Sequence, residues 1–273
     1  WTYNPLTADL LGDSGFDTLV YHCVDEIKAQ PGMPVKILES AEERLCRQAD
    51  IVFVTAQALL EDRKGWNPKS FYLPNVADYE HFSRALQDDL PVPDDLAALP
   101  GPRIGFIGAI SGYKLDFELI RYVAQSRPDW SVVLIGKVGE GDPWTNTETF
   151  AGLDNLSLLG PRDYDILPNY LKGMDVALLP NQINDYTRGM FPMKFFEYLA
   201  AGKRVVSTNI DSLKNYHDYA CIADSYDGFI HCIDEILSSG SDVDLDNRLE
   251  LARQNTYRIR TEKMLAIMSE ASE

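Results

Sequence analysis

Lys194 and Glu197 stand three residues apart in the segment FPMKFFEYLAAGKRVVST, residues 191–208. Pro192 suits the first turn of a helix and Gly202 suits its C-terminal end, so a short helix is predicted between them. The first turn of such a helix exposes free backbone N–H groups and a partial positive charge, which favour a bound phosphate. Lys194 adds a full charge there, and the Glu197 carboxylate could accept two hydrogen bonds from a ribose diol. The segment therefore predicts a nucleotide site, although a weak ion pair on the helix surface explains the same two residues.

Two further loops follow predicted strands and carry residues suited to a nucleotide. In GAISGYK, Gly108 to Lys114, small residues let a ligand approach the backbone, and Lys114 could reach a diphosphate. In GPRDYD, residues 160–165, backbone groups could read the edge of a base while Arg162 or Tyr164 lies against its ring. The alternatives are a solvated lysine at a helix start for the first loop, and a turn with a helix cap for the second.

Short apolar strands alternate with helices along almost the whole chain. The predicted strands are 18–24, 51–56, 70–75, 103–108, 131–136, 156–160, 175–180, 204–208 and 220–223. The predicted helices are 35–50, 57–63, 116–127, 164–173, 192–201, 212–217, 226–239 and 246–270. This alternation predicts an α/β fold with doubly wound parallel sheets covered on both faces. Ligands bind such sheets beyond the carboxyl ends of the strands, where the three segments above lie.

A stretch rich in Pro and Asp, residues 84–102, is predicted to be a linker or surface excursion between two series of strands. We therefore expect a partial N-terminal domain over 1–98 and a second domain over 99–273. The charged stretch 246–270 has an apolar side, and we expect it to form a helix that packs back on the first domain.

The composition excludes some classes of partner. The formal net charge of −17 repels polyanions, so nucleic acid is not an expected partner. No apolar run of about eighteen residues predicts a membrane span, and the first residues lack the pattern of a signal peptide. The cysteines form no C-x-x-C pair and sit in apolar or helical contexts, so we expect free thiols in a reducing, cytoplasmic setting for Cys23, Cys46, Cys221 and Cys232.

The histidines show no spacing typical of a metal site, so no metal is expected. His217 and Cys221 are four residues apart, but this pair spans a predicted junction between a helix and a strand.

Several segments together resemble the GT-B glycosyltransferases, specifically the nucleotide-sugar-dependent members of family 4. The resemblance spans nearly the whole chain and is carried by YHCVDE, ADIVFVT, LPNVADY, PRIGFIGAISGYKLD and, most specifically, FPMKFFEYLAAGKRVVST. It implies two Rossmann-like domains, with the first strands of the N-terminal one absent. It also implies transfer of a hexose-type sugar from a nucleoside-diphosphate sugar, with a UDP or GDP moiety, retention of anomeric configuration, and no metal or other cofactor. The implied acceptor is a glycan or lipid-linked molecule of surface polysaccharide synthesis, with peripheral membrane contact through the missing N-terminal part.

The resemblance also implies roles for individual residues. Glu197 matches the second Glu of the family's E-x7-E element, which binds the donor ribose, and Lys114 matches a lysine that contacts the donor diphosphate. Lys114 and Lys194 are expected to stabilise the departing diphosphate. Asp25 is expected to orient the acceptor, with a solvated acidic turn as the alternative. The expected donor-binding residues are Gly108, Arg162, Tyr164, Phe191, Met193, Lys194 and Glu197.

Two positions depart from the family pattern. Gly189 stands at the place of the first Glu of the E-x7-E element, which usually contacts the donor sugar, and Ala109 stands where many members carry an arginine to the diphosphate. Lys194 or Arg188 could supply the missing positive charge. The departures keep a second hypothesis open, a non-catalytic nucleotide-binding partner protein with the same fold. A nucleotide-sugar epimerase is a third, but it would need paired carboxylates and a histidine facing the donor.

Overall fold

The computed structural model describes residues 1–11, 15, 17–239, 242 and 244–271. The chain forms two compact units: unit 1 comprises 1–75, 184–192 and the stretch from Arg258 onward, and unit 2 comprises 76–183 and 193–257. None of the described helices is both long and apolar enough to span a bilayer.

The secondary structure elements follow the predicted alternation, with short 3-10 helices between several of them. The described strands are β1 (Val20–Cys23), β2 (Ile51–Val54), β3 (Ser70–Tyr72), β4 (Arg103–Ile107), β5 (Ser131–Ile135), β6 (Leu156–Gly160), β7 (Val176–Leu179), β8 (Val205–Thr208) and β9 (Cys221–Ala223). The described α-helices are α1 (Ala8–Leu11), α2 (Val35–Gln48), α3 (Gln57–Lys64), α4 (Tyr79–Phe82), α5 (Asp94–Ala97), α6 (Phe117–Ser126), α7 (Leu167–Lys172), α8 (Asp185–Arg188), α9 (Met193–Ala200), α10 (Tyr226–Ser238), α11 (Leu245–Gln254) and α12 (Tyr257–Ala271).

Unit 1 is built on a small parallel sheet in the strand order β1-β2-β3, as far as its described residues show. Every residue of β1 and β2 is buried, which is typical of parallel strands covered on both faces. One face packs against α2 and α3 through Leu45 and Leu59. Met264 of α12 packs on the other face against Ile51 and Phe53.

The C-terminal stretch forms two helices where the sequence predicts one over 246–270. The chain leaves the helical conformation at Asn255, with φ −119° and ψ 63°, and α12 starts two residues later. The amide nitrogen of the Asn255 side chain donates to the Leu251 carbonyl at 2.8 Å, which satisfies one of the free carbonyls at the end of α11.

Unit 2 is a doubly wound α/β unit. Six parallel strands in its described part lie in the order β6-β5-β4-β7-β8-β9. The chain runs outward from β4 to β6 and then, in the other direction, from β7 to β9, so the strand order reverses between the neighbours β4 and β7. Open parallel sheets bind ligands at such a switch point, beyond the carboxyl ends of the strands. The predicted α/β class with parallel sheets is confirmed.

The core of unit 2 explains why the strands and helices form. Apolar residues of α6 and α10, among them Leu119, Ile120, Phe229 and Ile233, share one buried cluster with Leu134 of β5 and its neighbours. Each such side chain contributes about 1.5–3 kcal/mol when it leaves water. The spacing of apolar residues on α6 and α10 therefore selects the helical period and the face that packs.

Residues 84–102 lie mostly at the surface, as predicted, but they are anchored to unit 2. Part of the stretch forms α5, whose Leu96 is fully buried, and a Cβ atom placed on Gly173 would lie within 2.7 Å of the Leu96 side chain. Burial of the Leu96 side chain anchors the stretch to unit 2. The sequence analysis did not identify this leucine as a core residue, because Pro and Asp dominate the stretch. The stretch belongs to unit 2, which begins at residue 76, whereas the sequence placed the domain boundary at 98.

The expectation of four free thiols is wrong for two cysteines. Cys221 of β9 and Cys232 of α10 form a disulfide with a Cα–Cα distance of 5.8 Å. Both side chains reach the same core because β9 leads directly into α10, which packs back on the sheet. Cys23 and Cys46 are free and buried, as predicted.

Candidate functional site

The start of α9 carries the two residues that the sequence singled out most strongly. The Nζ of Lys194 donates to Glu197 Oε2 at 2.7 Å, one turn along the helix. Glu197 is only 3% exposed, whereas the Lys194 side chain is partly exposed. The ion pair proposed as the alternative therefore exists, but it is not a solvated surface pair. A buried carboxylate that keeps one charged partner can accept further hydrogen bonds from a ligand.

Tyr198 fixes α9 relative to the end of β4. Its hydroxyl accepts a hydrogen bond from the Ile107 backbone N–H at 2.8 Å, and burial raises the pKa of this phenol well above its usual range. Ile107 immediately precedes Gly108, so this bond places the second turn of α9 beside the end of β4, where the Gly108 loop begins. Sequence reasoning missed Tyr198, although a tyrosine among buried phenylalanines signals a hydroxyl that needs a partner.

The loop Gly108–Lys114 is fixed to the end of β7. The Lys114 carbonyl accepts from the Gln182 backbone N–H at 2.9 Å and from the Asn181 side chain at 3.2 Å. The Lys114 ammonium lies 5.3 Å from the centroid of the Tyr113 ring. Lys114 is thus held at the carboxyl ends of β4 and β7, the strands between which the order reverses.

A close approach of two loops explains a glycine next to this site. A Cβ atom on Gly136, just after β5, would lie 1.8 Å from the Gly108 carbonyl oxygen. Only glycine lets the ends of β4 and β5 come this close, so Gly136 supports the shape of the Gly108 loop.

Tyr164 lies in the same region as Glu197. Burial raises the pKa of the Tyr164 phenol, and the nearby carboxylates of Glu197 and Asp78 raise it further. The residue is nevertheless 47% exposed, and its ring stacks on His81 with the ring centroids 4.2 Å apart. Tyr164 is thus partly exposed and near enough to Glu197 for the carboxylate charge to raise the pKa of its phenol.

Arg162 has a different environment from the one the sequence suggested. Its guanidinium pairs with Asp95 at 2.6 Å and donates from Nε to the Tyr170 hydroxyl at 2.6 Å. These bonds hold the guanidinium against α5 and α7, so Tyr164 is the better candidate of the two for contact with a base ring.

Asp25 and Phe191 belong to unit 1. Asp25 follows β1 and is partly buried, and its carbonyl accepts from the Ile27 N–H at 3.0 Å. Phe191 is 1% exposed and its carbonyl accepts from the Asn75 side chain at 2.9 Å, so its ring is a core residue. Met193, by contrast, is exposed at the start of α9.

Gly189 packs tightly within unit 1. A Cβ atom at this position would lie 2.6 Å from the Glu26 Cβ and 3.2 Å from Leu59. Glu26 itself cannot move freely, because both of its carboxylate oxygens accept from the buried Arg63 guanidinium at 2.9 Å. The tight contact gives a physical reason for glycine where the family pattern has a glutamate. Together with Arg188 and Lys28, Gly189 lines a cavity of about 320 Å³.

A model of the family described as glycosyl transferases group 1 matches residues 101–239, just over half of the chain. The chain belongs to this family. A Bacillus subtilis relative, named provisionally as the teichuronic acid biosynthesis glycosyltransferase TuaH, is 34% identical over 182 residues. The match covers 65% of this chain and 45% of the relative, so the chain spans less than half the length of that protein.

Solved structures show the same fold at low sequence identity. HepE of Anabaena, solved in complex with UDP, has a TM-score of 0.73 at 16% identity, and the match covers 97% of this chain and 76% of HepE. Sucrose-phosphate synthase of Thermosynechococcus elongatus has a TM-score of 0.72 at 16% identity, over 98% of this chain and 72% of that one. The GT-B fold implied by the sequence resemblance is confirmed.

Proposed function

We propose that this chain carries the donor site of a glycosyltransferase that moves a hexose-type sugar from a nucleoside-diphosphate sugar to a glycan or lipid-linked acceptor. The observation that carries the proposal is the buried Glu197 carboxylate, held by Lys194 at the start of α9. Membership of the group 1 family and the teichuronic acid role in the name of the relative support it. UDP is the first nucleotide to test, because HepE of the same fold was solved with it.

In this proposal each group has a separate task. Glu197 accepts from the ribose hydroxyls, and Tyr164 lies against the base. Lys194, Lys114 and the free N–H groups of α9 bind the diphosphate, and they stabilise the charge that grows on the leaving oxygen as the glycosidic bond breaks. Loss of one such donor typically costs about 3–4 kcal/mol of transition-state stabilisation. Retention, independence from metal, a cytoplasmic location and membrane contact of the whole protein belong to the proposal as well.

Titration calorimetry with UDP and with inorganic pyrophosphate tests whether Glu197 binds the ribose and Lys194 binds the phosphates. Glu197→Gln should weaken UDP binding at least tenfold and leave pyrophosphate binding equal or stronger, because Lys194 loses its competing partner. Lys194→Met should weaken the binding of both UDP and pyrophosphate. Glu118→Gln is the matched control, since Glu118 forms an exposed i,i+3 ion pair with Arg121 on another helix of unit 2. A folded wild-type chain that binds no UDP at millimolar concentration would overturn the donor-site proposal.

The second candidate is a non-catalytic nucleotide-binding partner protein. The observation that favours it is Gly189, where packing against Glu26 leaves no room for the carboxylate that the family pattern places near the donor sugar. Release of UDP from UDP-sugars by the whole protein, in the presence of glycan acceptors, separates the two. UDP binding without any turnover supports the partner protein, and turnover supports the enzyme.

A further inference from the structure

The His81 ring stacks on the Tyr164 ring. The two rings are nearly parallel, with an angle of 12° between their planes and centroids 4.2 Å apart. Phe82 meets both rings edge-on, at 4.9 Å from His81 and 5.6 Å from Tyr164. The Tyr164 ring therefore has one side supported by a three-ring cluster, while 47% of the residue remains exposed.

The same segment also holds the backbone of Tyr164. His81 Nε2 lies 3.0 Å from the Tyr164 carbonyl oxygen, and Arg84 donates to the next carbonyl, that of Asp165, at 3.3 Å. A carbonyl can only accept, so the proton of the His81 ring must sit on Nε2. His81 is itself placed by Asp78, which caps α4 and accepts from the His81 backbone N–H at 3.1 Å.

We propose that His81 is a positioning residue: it sets the orientation of the Tyr164 ring, and through it the affinity for the nucleoside part of the donor but not for the diphosphate. The inference rests on the donor site proposed above. It goes beyond that site because His81 comes from α4 and acts on the ligand only through Tyr164.

The first test compares UDP and pyrophosphate binding to the 273-residue chain by calorimetry. His81→Ala should weaken UDP binding by about tenfold, the scale expected for a lost aromatic pair, and should leave pyrophosphate affinity within about twofold. His231→Ala is the control, because His231 is an exposed histidine on α10 that pairs with Glu235. UDP affinity within twofold of the wild type in His81→Ala, or a parallel loss of pyrophosphate affinity, overturns the proposal.

Two near-isosteric variants separate ring stacking from the hydrogen bond and guard against misfolding. His81→Phe keeps the ring and loses the donor, and His81→Gln keeps a donor and loses the ring. Retained UDP affinity in the Phe variant assigns the positioning to stacking, and retained affinity in the Gln variant assigns it to the bond to the carbonyl. Full UDP affinity in both variants contradicts the proposal.

The position of the ring can also be read without a nucleotide. The Tyr164 ring signals, assigned in ¹³C-tyrosine-labelled protein by their loss in Tyr164→Phe, should move in His81→Ala and stay unmoved in His231→Ala. Unmoved signals in His81→Ala contradict the positioning role. If the wild-type chain binds no UDP, the donor site itself is overturned, and this measurement alone decides whether His81 positions Tyr164.

Discussion

At the scale of single residues, burial decides what a charged side chain can do. Glu197 and Lys194 form the kind of i,i+3 pair that contributes little when exposed. Here the residue is 3% exposed, so the carboxylate loses most of its water on folding, and in our proposal it accepts hydrogen bonds from the ribose hydroxyls. At Gly189, by contrast, packing against Glu26 leaves no space for a longer side chain, so this position carries no charged group.

The tight contact at Gly189 predicts a loss of stability on substitution. Gly189→Ala places a Cβ atom 2.6 Å from that of Glu26, so either residue must shift against the bonds to Arg63. We expect the free energy of unfolding to fall by about 1–3 kcal/mol, as for other overpacked sites, measured by urea denaturation. Gly65→Ala is the control in unit 1, because its nearest neighbour would lie at 3.5 Å, an ordinary contact. Equal stability of the two variants would contradict the packing explanation.

At the scale of elements, the Tyr198 hydroxyl joins α9 to the adjacent sheet. The Tyr198 hydroxyl lies 2.8 Å from the Ile107 nitrogen, at the place where β4 ends and the Gly108 loop begins. The bond connects the helix that carries Lys194 and Glu197 with the loop that carries Lys114. A change at this buried hydroxyl should therefore affect both stability and the site.

Tyr198→Phe removes this hydroxyl and leaves the Ile107 N–H buried without that partner. The expected cost is about 1–3 kcal/mol in the free energy of unfolding, with weaker pyrophosphate binding because the helix and loop lose their shared anchor. Thermal unfolding and calorimetry measure the two effects. Tyr122→Phe is the control, because the Tyr122 hydroxyl bonds to Asp227 at an exposed position on α6. Unchanged pyrophosphate affinity would show that the anchor does not affect the site.

Unit 1 carries a buried histidine that should make its stability depend on pH. Burial, together with the positive charge of Arg260 on α12, lowers the pKa of His22 on β1 from 6.5 to about 4. The folded state thus takes up this proton at lower pH than the unfolded state, so the stabilisation is complete above about pH 6.5 and is lost as the pH falls toward 4. The full shift of the His22 pKa corresponds to about 3 kcal/mol in the free energy of unfolding.

Urea unfolding at pH 7 and pH 4.5 measures this effect. The wild type should lose more stability between these values than His22→Phe, which keeps a ring against Trp1 and Phe53. His231→Phe, at an exposed position, should behave like the wild type. An equal pH dependence in His22→Phe would rule out His22 as the source.

At the scale of the whole molecule, a net charge of −17 repels polyanions, whereas in our proposal a few local cations bind the nucleotide. Only the groups at the start of α9 and Lys114 are assigned to anion binding in our proposal. The charge therefore favours small anionic ligands over extended ones.

We accordingly expect no retention on immobilised heparin and no shift of a short DNA duplex at 150 mM salt, under conditions in which UDP binds. Lowering the salt should not rescue either interaction, because the long-range repulsion becomes stronger as screening decreases. Electrophoretic mobility measures the DNA arm, and a salt-dependent shift of the duplex would contradict this expectation.

Much of the fold could be predicted because local patterns determine it. The apolar runs and helical spacing predicted all nine described strands to within a few residues, and Pro192 and Gly202 bracketed α9 to within one or two residues of each end. These signals depend on the period of burial and on backbone conformations, which act over a few residues. The break at Asn255, whose carbonyl accepts from the Ala77 N–H at 3.2 Å, and the anchoring of α5 escaped prediction, because they involve contacts with distant segments.

The sequence by itself determined the α/β class with doubly wound parallel sheets and the residue types at the candidate site, whereas the strand order of unit 2 came from the structure. The tertiary structure decided which partner each of these residues meets. Arg162 forms an ion pair with Asp95, 67 positions away in the sequence, and Tyr164 stacks on His81, 83 positions away. Such pairs depend on how distant elements pack, and no periodicity or cap records that packing in the sequence around either residue.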